Sequence, residues 1–149
     1  DGLGYGDNAK SALITRGLTE ISALGVALGA NPLTFSGLSG LGDLVATCAS
    51  PLSRNHSVGE ALAKGRRLPE ILASMESVAE GVATTSAAWK LSQQLGLEMP
   101  ITERIHQVLY NDAKPETVIS EMLGAQGRHE LYGRRWNLAS LFRKPKKRG

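Results

Sequence analysis

Residues 7–28 read DNAKSALITRGLTEISALGVAL, and the period of this stretch decides the fold class. Ile14, Leu18, Ile21, Leu24, Gly25 and Leu28 recur at the steps of one helical face. Asp7 is placed to cap that helix, because its carboxylate can accept from the free backbone N–H groups of the first turn. Gly17, Ala23, Gly25 and Gly29 lower helix propensity but let another helix come close. Asn31-Pro32 marks the expected end.

The rest of the chain follows the same grammar. Residues 33–42 are punctuated by Gly37, Gly40 and Gly42. A helix is predicted from Asp43 to Cys48, stopping before Pro51, since the residue before a proline avoids the helical region. Ser53 caps the next, which turns Val58, Ala61 and Leu62 inward and breaks at Gly65. A short helix covers Pro69 to Ala73. Ser77-Val78-Ala79-Glu80 has the form of a capping box, followed by Ala83, Ala87, Leu91 and Leu95 at intervals of four and a stop at Gly96. Pro100 opens a helix with Ile101, Ile105, Val108 and Leu109, and Pro115 opens another with Val118, Ile119, Met122 and Leu123, ending at Gly124. No segment alternates as a strand does. The prediction is an all-α domain of about seven or eight helices over residues 7–123. Residues 124–149 read as a basic tail, with a short amphipathic turn over 136–142 and a disordered end.

Composition narrows the classes. Of the 149 residues, 17 are Lys or Arg and 14 are Asp or Glu, for a net charge of +3. That excess belongs to the end of the chain: Arg128 onward carries eight basic residues and one acid, leaving residues 1–127 at −4. The basic balance is therefore no argument for a nucleic-acid-binding body. The single cysteine, Cys48, cannot form an internal disulfide or a Cys-based zinc site alone. No apolar run approaches the roughly 20 residues of a membrane span. Asp1-Gly2-Leu3-Gly4-Tyr5-Gly6 reads as a connection between two elements, so the chain is expected to be cut from a longer protein.

Three groups of residues could carry chemistry. Asp43 and Thr47 are i,i+4 neighbours, and a carboxylate beside a hydroxyl can bind a polyol or a carbonyl. The alternative is a helix cap by Asp43 with Thr47 bonded to its own backbone. Ser53-Arg54-Asn55 opens a helix, where free N–H groups, the helix dipole and a guanidinium suit a phosphate. Here the alternative is an ordinary cap with a solvated Arg. Glu80 either closes the capping box on Ser77 or accepts hydrogen bonds from a ribose. His56 reads as a surface side chain, and Glu103 with His106 as a solvated face. Gly37, Gly40 and Gly42 have the wrong order for a dinucleotide loop.

Taken together, these runs resemble one family. Asp1 to Lys10, Ile14-Thr15-Arg16-Gly17, Gly37 to Leu44, Ser50 to Asn55, Val78-Ala79-Glu80-Gly81 and Met99-Pro100-Ile101 resemble the C-terminal domain of bacterial-type NAD(P)-dependent glycerol-3-phosphate dehydrogenase. The resemblance covers nearly all of residues 1–123. It implies a fold of the 6-phosphogluconate dehydrogenase C-terminal-like type, with residues 1–123 as the substrate-binding domain. It implies interconversion of dihydroxyacetone phosphate and sn-glycerol 3-phosphate with NAD or NADP, for phospholipid synthesis. Asp43, Thr47, Ser53, Arg54 and Asn55 take substrate-binding positions, and Arg54, Val78 and Glu80 cofactor-binding ones. The family's Rossmann domain and catalytic Lys would lie upstream of Asp1, so no catalytic residue is expected in this chain, and the chain alone is expected to be inactive. A cytoplasmic homodimer, with no nucleic-acid partner and no integral membrane segment, is also implied. The competing reading is a helical interaction module whose basic tail binds nucleic acid or an anionic membrane. A related β-hydroxyacid dehydrogenase is a third, opposed by the Gly42-Asp43 and Ser53-Arg54-Asn55 motifs.

Overall fold

The computed structural model describes residues 1–124; the tail predicted over 124–149, with its turn at 136–142, lies outside the described residues beyond that point. Among the described residues all regular structure is helical, as predicted. The helices are α1 (Asp7–Ala27), α2 (Pro32–Ser36), α3 (Asp43–Ala49), α4 (Arg54–Ala63), α5 (Leu68–Ala73), α6 (Glu80–Leu95), α7 (Pro100–Tyr110) and α8 (Pro115–Gly124). A π-helical turn, Leu38–Gly42, leads directly into α3. No helix among them is long and apolar enough to cross a membrane.

α4 is the hub. It packs on α3, α5, α6 and α8, while α1 packs on α2, α3 and α7. Val58, Ile71 and Ala79 form the buried centre around α4, with Ala61, Leu62, Leu68, Met75 and Val82 against them. Val58, Ala61 and Leu62 thus face inward, as predicted. Pinning one face of α4 in this cluster fixes where its first turn, Arg54 and Asn55, projects.

Several local expectations are corrected. Asp7 is the first residue of α1 rather than its cap; Gly6 holds the cap position, with no side-chain bond. α1 also stops earlier than Asn31-Pro32. Gly29 takes φ +92°, and Ala30 N–H donates to Gly25 O while Gly29 N–H donates to Val26 O, the paired bonds of a glycine-terminated helix. Asn31 caps α2 instead, accepting from Leu33 N at 3.0 Å. The predicted inner face of α1 holds at Ile14, Leu18, Leu24 and Gly25, which are half-buried, but Ile21 and Leu28 are exposed, and the buried residue is Glu20.

Glu20 is buried because it is bonded. Its carboxylate accepts from Ile101 N at 2.6 Å, Thr102 N at 3.0 Å and Thr102 Oγ1 at 2.9 Å. Two of these donors are first-turn N–H groups of α7, which has no side-chain cap of its own, and the third is the Thr102 hydroxyl. A side chain 81 residues away supplies that cap.

Of the small residues along α1, one is used for close approach. A Cβ at Gly25 would overlap the Phe35 ring, whereas Gly17 has open space around it. Gly40 meets the Phe35 backbone equally closely. Phe35 is held between these two glycines, and the π-helical turn that carries Gly40 delivers the chain into α3.

The inner face of α6 also differs from the interval-of-four reading. Ala83, Ala87 and Leu95 are exposed, while Ser92 is buried and Trp89 half-buried. Trp89 stacks on His106 at 4.3 Å between ring centroids, and His106 meets Tyr110 at 4.8 Å. Tyr110 Oη then donates to Val82 O at 2.8 Å. His106 is therefore part of the α6–α7 contact, not a solvated face; Glu103 on the same helix is exposed.

Candidate functional site

A cleft of about 430 Å³ opens where α3 ends and α4 and α6 begin. Ala46, Thr47, Ser50, Leu52, Ser53, Arg54, Asn55 and Glu80 line it. That volume suits a small metabolite. Ala46, Ser50 and Leu52 carry no predicted site role. Ser50 shapes the turn, its Oγ accepting from Leu52 N at 3.2 Å.

Ser53 caps α4, as predicted, its Oγ accepting from His56 N at 3.3 Å. Arg54 follows as the first helical residue. It is exposed and makes no ion pair among the described residues. The same holds for Glu80. A cation and an anion line one cleft without neutralising each other.

Glu80 is available because the expected capping box does not form. α6 begins at Glu80 itself, its cap position is Ala79, and no side chain of the Ser77–Glu80 run caps it. Ala79 is extended and only 2% exposed, packed with Val58 and Ile71. Burying that methyl keeps the chain extended up to Ala79. Successive residues of an extended segment point to opposite sides. Val78, before it, is 73% exposed. Gly81 N, in the first turn of α6, donates to Asn55 Oδ1 at 3.0 Å.

Of the predicted site residues, then, the fold gathers Thr47, Ser53, Arg54, Asn55 and Glu80. Asp43 and Val78 do not line the cleft. Asp43 sits one helical turn before Thr47 on α3, exposed, and does not act as a side-chain cap. Val78 stands two residues before Glu80.

His56 is not the surface side chain expected. It is half-buried, with Nδ1 3.1 Å from the Cys48 carbonyl. A carbonyl only accepts, so Nδ1 carries the proton and donates. This bond ties the end of α3 to the first turn of α4. Nε2 faces Asp1 at 3.7 Å and Glu60 at 3.6 Å, and Asp1 also pairs with Lys10. Burial pushes the Cys48 thiol up, and the nearby Lys10 charge offsets part of this, so at neutral pH the sulfur is a thiol. Among the described residues, no group of three or more His, Cys, Asp or Glu could hold a metal ion.

Fold and cleft define an all-helical domain with an open cleft lined by a cation and an anion that form no ion pair among the described residues. Comparison with known proteins supplies the family. Residues 1–120 match the family described as NAD-dependent glycerol-3-phosphate dehydrogenase C-terminus. A glycerol-3-phosphate dehydrogenase [NAD(P)+] of Dehalococcoides mccartyi is 62% identical over 148 residues, covering 99% of this chain and 41% of that protein. The Bacillus subtilis enzyme of the same name is 55% identical over 131 residues, 88% of this chain and 38% of that one. The crystal structure of glycerol-3-phosphate dehydrogenase from Coxiella burnetii superposes with a TM-score of 0.80 at 41% identity, covering 83% of this chain and 38% of that chain. The chain belongs to the C-terminal family of NAD(P)-dependent glycerol-3-phosphate dehydrogenase, with its 6-phosphogluconate dehydrogenase C-terminal-like fold. It spans about two fifths of the length of the relatives it matches.

Proposed function

We propose that this chain is the substrate half of an enzyme that interconverts dihydroxyacetone phosphate and sn-glycerol 3-phosphate with NAD or NADP. The observation that carries the reading is the cleft in which Arg54 and Glu80 stay unpaired at the starts of α4 and α6. Arg54 is the group for an anion, here the substrate phosphate or a cofactor phosphate, and its planar fork matches phosphate oxygens. Ser53 holds the first turn of α4 in place while Thr47 offers a hydroxyl to the ligand's polar groups. Glu80 accepts only, and so suits the hydroxyls of a ribose. Val78, exposed beside Glu80, adds apolar surface toward the cofactor.

The donor set fits a dinucleotide edge: a cation, an anion and two helix starts border the cleft. When bound, the nicotinamide supplies or takes the hydride at C2. The proton at the C2 oxygen falls to a Lys outside this chain. Asp43, one turn from Thr47, orients that Lys or the C2 hydroxyl. The remainder of the parent enzyme closes the cleft against the exposed Leu52 and Val78. The parent enzyme is a cytoplasmic homodimer on this reading.

Two measurements test it. The purified 149-residue chain, given dihydroxyacetone phosphate and NADH or NADPH, will show no turnover, while a full-length dehydrogenase carrying it will. Turnover by the chain alone at a rate like that of the full-length enzyme overturns the division into halves; a full-length enzyme inactive on this substrate overturns the assignment. In the full-length enzyme, Asp43→Asn will lower kcat about tenfold with little change in KM. The substitution keeps the shape but removes the charge that orients the proton-transfer group. A normal kcat removes Asp43 from that role.

A further inference from the structure

Asn55 is engaged in a way that its place beside Arg54 does not predict. Its Oδ1 accepts from Gly81 N at 3.0 Å and so joins the first turn of α4 to the first turn of α6. The fit is steric as well as polar. A Cβ at Gly81 would lie 2.7 Å from Asn55 Oδ1 and 2.9 Å from Nδ2. A Cβ at Gly81 would therefore push the carboxamide off its hydrogen bond, while the Gly81 backbone itself is ordinary helix.

We propose that Asn55 and Gly81 form a clasp that sets the spacing of Arg54 and Glu80 across the cleft. The inference deepens the glycerol-3-phosphate reading and rests on it for the identity of the ligand. An N–H can bond only to the oxygen end of the amide, so the carboxamide has one orientation. That fixes the Nδ2 amine on the opposite side, where it can donate. Arg54 also only donates. The α4 side of the cleft thus offers donors from two adjacent side chains, and the α6 side offers the acceptor Glu80. A ligand with an anionic group at one end and hydroxyls at the other meets both sides. Asn55 is in this respect a positioning residue, because it sets α6 against α4 whether or not it touches the ligand.

A double-mutant cycle in a full-length dehydrogenase carrying this chain tests the clasp. Gly81→Ala is expected to raise KM for dihydroxyacetone phosphate about tenfold, with a smaller change in kcat. In an Asn55→Ala background, Gly81→Ala is expected to add nothing, since overlap and hydrogen bond both need the carboxamide. An equal penalty in both backgrounds, or none in either, overturns the clasp. Should Gly81→Ala lose its helical circular dichroism, recovery in the double variant supports the clasp and continued loss overturns it. Hydrogen exchange separates this inference from the activity assignment. The Gly81 amide is expected to exchange at least about tenfold faster in Asn55→Ala than in the unaltered enzyme. Unchanged exchange overturns the clasp whatever the enzyme turns over; an enzyme inactive on this substrate overturns the ligand's identity and leaves the clasp to the exchange result.

Discussion

Arg54→Ala, in a full-length dehydrogenase carrying this chain, will raise KM for dihydroxyacetone phosphate or for the nicotinamide cofactor by about 10- to 100-fold. A hydrogen bond to a charged group contributes about 1.5–3 kcal/mol, which converts to that range. The guanidinium is a suitable candidate because nothing among the described residues competes for it. It also stands at the start of a helix whose dipole adds to its attraction for an anion. Arg54→Lys will fall between the two, keeping the charge but losing the planar fork. Initial-rate measurements with each substrate varied in turn will show which KM moves. If neither does, Arg54 is a solvated helix-start residue and the cleft is not the anion site.

Glu20→Ala will destabilise the domain by about 3 kcal/mol. Three hydrogen bonds to α7 disappear together, and the N–H groups of Ile101 and Thr102 are left without partners. A negative charge at a helix start is favourable in its own right, so the loss includes that term. Against a typical total of about 5–15 kcal/mol, the deficit is a large fraction. Glu20→Gln will cost less, about 1 kcal/mol, because one acceptor oxygen remains while its amine faces donors. Urea denaturation followed by circular dichroism reads both, through the midpoint. A midpoint for Glu20→Ala equal to that of the unaltered chain would mean that water serves the α7 start equally well.

What the sequence displays and what it hides divide along contact distance. Helix stops at Gly96, the proline openings at Pro100 and Pro115, the Ser53 cap and the inward face of α4 are all set within a turn or two. Each was legible. The contacts of Glu20, His106 and Asn55 were not, since their partners lie on other helices. Asn55 reaches Gly81, 26 residues on, and a helical wheel has no way to register that bond. The Ser77–Glu80 pattern misled for the same reason. It matches a capping box locally, but burying the Ala79 methyl decides where α6 begins. For the cleft, residue types and order were enough to mark Thr47, Ser53, Arg54, Asn55 and Glu80. The standing of Asp43 outside the lining, and of Val78 beside it, depends on how α3 and the α6 start are set in space.

The carboxylate that caps α7 also has a timetable. Ribosomes add about 5–20 residues per second. Glu20 therefore waits about 4–16 s after its own synthesis before Ile101, 81 residues later, exists to receive it. Arg16, whose Nη1 donates to the Met122 carbonyl at 3.2 Å, waits longer still. Until then α1 emerges with an inner face built for partners not yet made. A nascent chain stalled before α7 holds its longest helix against α2 and α3 alone, with the Glu20 carboxylate still without its partners.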